Sequence, residues 1–268
     1  MRVSTARPEQ QAFKDFAALV EKHDGVEAFG EASHRDVTED RPARYLGLYE
    51  DDVIVALAVM GKEGSELAVH PDYRRQGAGR QLVEHVSQTV KPMRLWSHGN
   101  LPAAAALAAS LRLAVVRELR QLSMDIGDAQ RPIGRDDVVL RPYTDADADA
   151  LVRVNARAFA SHPEQGAMTA EDIPASGGEI SVAEAEGEIV GYVWIQRDPA
   201  ELYVLGIDPD WQGKGLGGWL TAHCLADLRE GGADSVMLYV EGDNTPALVT
   251  YERAGFTLSR SDVQYELA

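Results

Sequence analysis

The chain has 268 residues, room for two ordinary domains, and 45% of them are hydrophobic, too many for a disordered acidic segment. A formal net charge of −17 disfavours nucleic-acid phosphates as a partner, and one cysteine, Cys224, leaves no disulfide framework and no multi-cysteine metal site. No apolar run approaches the roughly 20 residues that span a bilayer, and Met1 to Gln11 has no apolar stretch of signal-peptide type, so a cytoplasmic protein without a membrane partner is expected. In chain order, Arg44 to Leu48 and Val53 to Met60 read as a hairpin around Glu50-Asp51-Asp52. Leu67 to Val69 closes a strand. Gly127 to Gly134 is polar and rich in breakers, as linkers are. Val138 to Arg141 opens a fresh strand, and Thr144 precedes a helical run with Ala150, Leu151, Val154 and Ala158 on one face. Glu179 to Ala183 alternates and Glu188 to Gln196 is more continuously apolar, with Ala185-Glu186-Gly187 as the turn between them. Leu202 to Ile207 is a strand, Gly215 to Arg229 an amphipathic helix, Ser235 to Val240 a strand and Thr245 to Ala254 a helix; Phe256 opens a final strand.

Two stretches repeat. Leu67-Ala68-Val69-His70-Pro71, followed by Arg74, Gly77 and Gly79, matches Leu205-Gly206-Ile207-Asp208-Pro209, followed by Gln212, Gly215 and Gly217, at a constant spacing of 138 positions. Asn100 and Pro102 match Asn244 and Pro246 at a spacing of 144. The chain therefore reads as one α/β domain written twice, over residues 1–127 and 138–268, each copy a mixed, mostly antiparallel sheet flanked by helices.

A strand that feeds a glycine-rich turn opening a helix is a phosphate-binding geometry, because the backbone can approach closely and the first helical N–H groups point at the anion. Arg74 to Arg80 and Gln212 to Gly218 both fit; the plainer alternative for either is a tight strand-to-helix turn. Neither is a Walker loop, since no Gly-Lys-Ser/Thr follows, and a dinucleotide fingerprint fits poorly because Asp208 to Gln212 separates Gly213, Gly215 and Gly218 from the strand. With so acidic a chain, an anionic ligand must be drawn locally, through helix N-termini and through Arg74, Arg75 and Arg80 or Lys214.

The form common to both loops, Gln/Arg-x-x-Gly-x-Gly, resembles the acetyl-CoA signature of the GNAT N-acetyltransferase superfamily. The resemblance covers nearly the whole chain as two tandem GNAT (acyl-CoA N-acyltransferase) domains. It implies acetyl-CoA as acyl donor, with its pyrophosphate in the loop and pantetheine added along a splayed strand edge. In the second half the implied donor contacts are Leu205, Gly206 and Ile207 on the strand, then Gln212, Gly213, Lys214, Gly215, Leu216, Gly217 and Gly218, with Asn244 and Pro246 further on. In the first half they are Leu67, Ala68 and Val69, then Arg75, Gln76, Gly77, Ala78, Gly79 and Arg80. The seven histidines show no metal-binding spacing, so no metal is expected.

A second resemblance is more specific. His162-Pro163-Glu164-Gln165-Gly166, Leu202 to Pro209 and Leu238 to Asn244 are similar to the mycothiol synthase family, as are Asp24-Gly25-Val26 leading to Gly30-Glu31, Trp96-Ser97-His98-Gly99 and Val116-Arg117-Glu118-Leu119. That family acetylates the cysteinyl amine of desacetylmycothiol, a cysteine–glucosamine–inositol conjugate. The resemblance implies acceptor contacts at Glu31, Glu164, Gln196, Glu201 and Tyr239, residue types suited to a polyol and an ammonium. The family has a lysine where this chain has Gln196.

Amine acetylation needs a base for the ammonium proton, a stabiliser for the carbonyl and an acid for the leaving thiolate. Glu201 opens the strand before the loop, and strand alternation puts Glu201, Tyr203 and Leu205 on one face. A carboxylate there can take the proton directly or through water; otherwise it is an exposed strand-end glutamate. Tyr251, in the helix after the Asn-x-Pro turn, is the candidate acid, since a thiol and a phenol titrate at about 8.5 and about 10; otherwise it packs on a helix face. Backbone N–H groups around Leu205 to Ile207 would polarise the thioester. Cys224 sits among Leu220, Leu225 and Leu228 and reads as core, and Trp194, Trp211 and Trp219 read as packing residues. At a spacing of 144, Tyr251 meets Leu107 and Gly255 meets Leu111, so one active centre is expected, in the second half. Two rival readings are a tandem GNAT protein acting on another amine or a protein N-terminus, and an acyl-CoA sensor without activity. A monomer is expected.

Overall fold

The computed structural model describes residues 2–39, 41–62, 64–160, 162, 165–175 and 177–267. The chain divides into two units, Met1–Leu119 with Arg260–Ala268, and Arg120–Ser259. The division therefore differs from the linear stretches 1–127 and 138–268: the last nine residues belong with the first unit.

In unit 1, a short strand β1 (Arg2–Ser4) precedes helices α1 (Gln10–Asp24) and α2 (Glu31–Thr38). Helix α1 forms because Phe13, Phe16, Ala17 and Val20 recur on one face, Glu9 accepts from the Ala12 N–H at its start, and Gly25 takes a left-handed conformation at its end. Strands β2 (Arg44–Glu50) and β3 (Val53–Gly61) are the expected hairpin, followed by β4 (Gly64–Val69), helix α3 (Ala78–Thr89), β5 (Arg94–Ser97), α4 (Pro102–Ser110) and strand β6 (Leu113–Asp125), of which unit 1 holds the part up to Leu119. Strands β1 to β4 run antiparallel in order, and β4 pairs with β5 in parallel. The other edge of β5 is taken by the final strand of the chain, Thr257–Leu267 (β12), antiparallel, with Val263 opposite Ser97 and Glu266 opposite Arg94. One sheet face packs Leu46, Leu48, Val55 and Ala58 against Leu82, Val83 and Val86 of α3. The other packs Leu57 and Val59 against Phe13, Phe16 and Val20 of α1, with Phe29.

Unit 2 repeats this plan. It holds β7 (Val139–Pro142), α5 (Ala148–Ala158), a short α6 (Asp172–Ala175), β8 (Glu179–Ala185), β9 (Glu188–Arg197), β10 (Ala200–Ile207), α7 (Leu216–Glu230), β11 (Ser235–Glu241) and α8 (Thr245–Ala254). Thr144, which the sequence places just before this helix, forms a capping box with Asp147 ahead of α5. Strands β7 to β10 are antiparallel, β10 pairs with β11 in parallel, and the 120–125 part of β6 lies beyond β11. Helices α7 and α8 cover one face through Leu216, Leu220, Leu228, Leu248 and Tyr251. Helix α5 covers the other through Leu151 and Val154 against Val182, Tyr192, Trp194 and Val204. Cys224 and Trp194 lie in these cores, as expected.

In unit 1, Ala108, Val263 and Tyr265 form a hydrophobic cluster to which the C-terminal strand contributes two members. A chain ending at Ser259 is expected to lose amide protection in β5 by hydrogen exchange; retained protection there would contradict this topology.

Candidate active site

Strand β10 carries the geometry that matters most. Its parallel pairing with β11 covers Glu201 opposite Met237 and Leu202 opposite Leu238 and extends no further. Its antiparallel pairing with β9 continues to Ile207, but the register shifts between Leu202 and Val204, so Tyr203 is an extra residue, a β-bulge. Backbone groups in an antiparallel pair alternate between the two edges of a strand. Beyond the bulge, alternate N–H and C=O groups over 203–207 therefore face the opening between β10 and β11. This is the splayed edge the resemblance implies.

The bulge corrects one expectation. Leu205 and Ile207 pack with the α7/α8 core, whereas the Tyr203 ring meets Trp194, a member of the α5-side core, at 5.5 Å. Glu201 and Tyr203 thus do not share a face with Leu205, because the extra residue reverses the alternation. Burial pushes the Glu201 carboxyl above its ordinary value. Its cross-strand neighbour is Gln196, which carries no charge. The next cation, Arg197, is held by Glu179 through two hydrogen bonds of 2.5 and 2.7 Å.

After β10, Asp208 accepts from the Asp210 N–H, and Gln212 donates to the Ile207 carbonyl at 3.2 Å. Gly213 and Gly215 both have left-handed backbones, with φ of +73° and +78°, and Gly215 caps α7. Only glycine adopts two such turns without strain, and together they aim successive N–H groups at one point, an anion nest. Lys214 lies over the Trp211 ring at 4.8 Å. The sequence reading missed Arg135, which donates to the Lys214 carbonyl at 3.1 Å and pairs with Asp137 through two bonds. Its only signal was a cation directly after the breaker-rich linker of Gly127 to Gly134.

Asn244 caps α8 by accepting from the Ala247 N–H, with Pro246 in the first turn. Tyr251 is buried in that helix against Phe256, with ring centroids 5.8 Å apart, and burial raises its phenol above the ordinary value, so the hydroxyl stays protonated at working pH. Burial likewise pushes the Cys224 thiol up to about 12, which leaves it inert. Tyr239 is exposed on β11. His162 reaches Glu241 of β11 at 3.4 Å and accepts from the Gln165 N–H at 2.9 Å, which links His162 to β11. Glu164 lies outside the described residues.

Unit 1 has the same scaffold with different contents. The pairing of β4 with β5 also covers two positions, Ser65 opposite Leu95 and Glu66 opposite Trp96, so its edge is splayed as well. However, β4 pairs with β3 in unbroken register from Gly64 to Val69. Matching the two registers puts Gly64 at the place of Glu201 and Glu66 at the place of Val204, with no counterpart of Tyr203. A cavity of about 490 Å³ opens beside this strand, and Leu67, Ala68, Val69, Arg75, Gly77, Ala78, Gly79 and Arg80 line it, while Gln76 does not. Leu107 lines it where the repeat has Tyr251. Arg75 occupies the position of Gly213 and shares its left-handed backbone, with φ of +64°, a strained conformation for arginine. Arg74 is not free to draw in an anion: its guanidinium makes two bonds to Asp24, at 2.7 and 2.8 Å, and donates to the Val69 carbonyl at 3.0 Å.

On the α2 side of β4 lies a charged cluster. His98 stands between two carboxylates, Nε2 at 2.7 Å from Glu66 and Nδ1 at 3.1 Å from Asp262. Glu66 also accepts from the Gly30 N–H, and Asp262 accepts from the Gly99 N–H and Arg260, which faces Glu27 as well. Burial would lower the His98 pKa, but the bonds and charges of Asp262 and Glu66 outweigh it and raise it to about 9. Burial pushes Glu66 up, yet His98, Ser33 and the Gly30 amide hold it below the ordinary value. Glu31, next to this cluster, is exposed and pairs with Arg35 at 3.4 Å.

Comparison with known proteins agrees with this geometry. The sequence model of the acetyltransferase (GNAT) family matches residues 11–110 and 148–256. Among solved structures, a GCN5-related N-acetyltransferase from Sphaerobacter thermophilus has a TM-score of 0.74 at 18% identity, covering 99% of this chain and 95% of that one. A tandem GNAT protein from the clavulanic acid biosynthesis pathway has a TM-score of 0.69 at 17% identity, covering 99% and 98%. Among relatives, the mycothiol acetyltransferase of Clavibacter sepedonicus is 40% identical over 100% of this chain and 96% of its own. That of Thermomonospora curvata is 40% identical over 93% and 91%. The chain therefore belongs to the acetyltransferase (GNAT) family and, within it, to the mycothiol acetyltransferases. It is an N-acetyltransferase with acetyl-CoA as donor. Among the described residues, no helix is long and apolar enough to cross a membrane and no group of side chains is arranged to hold a metal ion.

Two pH effects follow. With Glu201 in the role of base expected from the sequence, its raised pKa should place the acid limb of kcat/KM for the amine above the ordinary carboxylate range, and Glu201→Gln should remove that limb. A pH profile unchanged by the substitution would contradict the assignment. His98 is raised from 6.5 to about 9, so its contribution to unit 1 is fully present below pH 6.5 and is lost as pH rises through about 9. The difference in thermal stability between the wild type and His98→Gln should therefore shrink between pH 6.5 and 10.

Proposed function

We propose that the chain acetylates the cysteinyl amine of desacetylmycothiol to give mycothiol, and that the chemistry occurs in unit 2 alone. One observation carries the assignment to unit 2: Glu201 stands one turn of the pleat before a β-bulge on the splayed strand, and unit 1 has neither the carboxylate nor the bulge.

In this reading acetyl-CoA lies along β10, with its thioester carbonyl at the N–H groups of 205–207 and its pyrophosphate in the loop of Gln212, Gly213, Lys214, Gly215, Leu216, Gly217 and Gly218. Glu201 takes the ammonium proton, directly or through water. The free amine attacks the thioester carbon, a C–N bond forms, and collapse of the tetrahedral intermediate breaks the C–S bond. Tyr251 gives a proton to the departing thiolate, and the second proton released by the nitrogen restores the phenol through solvent. A raised pKa suits the base, since a carboxylate nearer neutrality is a better one, and the raised phenol stays protonated in the resting enzyme. The neutral side chain of Gln196 favours the same end, because a cation there would pull the Glu201 pKa down. Asn244 and Pro246 support the donor site by starting α8. For the acceptor, the proposed contacts are Glu31, Glu164, Gln196, Glu201 and Tyr239. The proposed setting is the cytoplasm and the proposed working form a monomer.

Unit 1 is proposed to hold CoA through Leu67, Ala68, Val69, Arg75, Gln76, Gly77, Ala78, Gly79 and Arg80 without transferring from it, since Gly64 and Leu107 stand where a base and an acid are needed.

Assay of purified protein with acetyl-CoA should show acetylation of desacetylmycothiol and none of glucosamine–inositol lacking the cysteine. Acetylation of an unrelated amine in preference to it would overturn the acceptor. Glu201→Gln is expected to lower kcat by about 100-fold or more, and Tyr251→Phe to lower it with little change in the acceptor KM.

A further inference from the structure

The cavity of unit 1 has a wall with unusual fastenings. Asp24, Val26, Glu27 and Ala28 line it, and they are the residues that lead from the end of α1 to Glu31. Asp24 is tied to Arg74 of the anion loop by two charged hydrogen bonds, and the partners are only 13% and 26% exposed. Val26 lies so close to Gly99 that a Cβ on that glycine would come within 3.0 Å of it. Glu27 faces Arg260 at 3.7 Å. The Gly30 amide donates to Glu66 at 2.9 Å, and Glu66 is in turn gripped by His98. A Cβ at Gly30 would stand 3.1 Å from the Glu66 carboxylate, so a larger residue there would push that carboxylate aside by a few tenths of an ångström. The same segment is thus both a wall of the cavity and the mount of an exposed carboxylate, Glu31. At its two ends it is joined to the anion loop and to the His98 cluster.

A ligand in this cavity is not consumed there in this reading: Gly64 and Leu107 stand where unit 2 has its proposed base and acid, and Asp24, Glu27 and His98, which do line the cavity, are held by Arg74, by Arg260 and by Glu66 with Asp262. It can still act, since whatever fills the space presses on Val26 and Ala28, and whatever settles in the loop lies next to Arg74. We propose that the unit 1 cavity is an effector site: a CoA thioester bound there orders residues 24–31 and so tightens binding of the amine acceptor. This rests on the reading that the cavity takes CoA and that Glu31 contacts the acceptor. A ligand can shift an equilibrium only through differential affinity for its states, and here the differential contacts are those to the 24–28 wall. Coupling of this kind is reciprocal, so the acceptor must tighten CoA binding in unit 1 by the same factor.

The test uses the full chain with acetyl-CoA and desacetylmycothiol. Titration calorimetry with CoA should give two sites in the wild type and one in Gly77→Asp, where a side chain meets no neighbour but strains the left-handed backbone (φ +91°) and carries a charge into the loop. At saturating acetyl-CoA, Gly77→Asp should raise the acceptor KM about 5-fold or more with kcat within about 2-fold. Asp24→Asn should raise KM in the same way while keeping two sites, and Gly77→Asp should add nothing in a Glu31→Ala background. If Gly77→Asp fails to fold, Arg75→Glu takes its place. One site with an unchanged acceptor KM would overturn the effector role and leave the CoA reading standing. A single site in the wild type would overturn both.

Discussion

Everything at the active site depends on the parting of β10 from β11 after Leu202. A parallel pair that stops after two positions leaves the backbone groups of the next five residues without a strand partner on that edge. In most proteins such an edge in the middle of a sheet would be a defect, because each unpaired buried group costs about 1–3 kcal/mol. In an acyl-CoA enzyme it is the docking surface: the pantetheine arm has amides of its own and completes the ladder. The bulge at Tyr203 adds a second consequence. It turns the strand so that Glu201 lies on one side of the sheet and Leu205 on the other. The carboxylate is thereby separated from the apolar wall of α7 and α8, while the backbone amides between them remain directed at the opening.

The two units act as an internal control. Both have the splayed strands, the left-handed turns of the loop and the helix that follows. They differ at the few positions to which the proposed mechanism assigns proton transfer. The strand of unit 1 runs in regular register and carries glycine at the base position, and its Glu66 is locked to His98 and to the Gly30 amide. The arginine at the head of its loop is committed to Asp24. In the proposed reading, unit 1 has fixed ion pairs where unit 2 has its proton-transfer groups, which suits a part that holds a ligand in place.

The sequence revealed much of this through spacing. Two glycines, a proline and a strand repeating at 138 positions were enough to announce two copies of one scaffold and the placement of both loops. The loss of Tyr251 in the first copy was legible as Leu107. The bulge was not, because alternation is a local rule and an inserted residue shows only in the partner strand's register; Tyr203 has the same hydropathy with or without it. Nor could the pattern show that Arg74 is spent on Asp24, fifty positions away, or that Arg260–Ala268 belong with the first unit, since both are long-range facts. Helix α1, by contrast, carries a clear apolar face and a cap; a comparison of repeats passes over it because the matching strings lie elsewhere.

The account stands most directly on the claim that one of two similar units performs the transfer. A single-turnover experiment tests it: the chain is loaded with labelled acetyl-CoA at both sites, mixed with excess acceptor and quenched over time. The account predicts a rapid phase of one acetyl group transferred per chain. A rapid phase of two would contradict it.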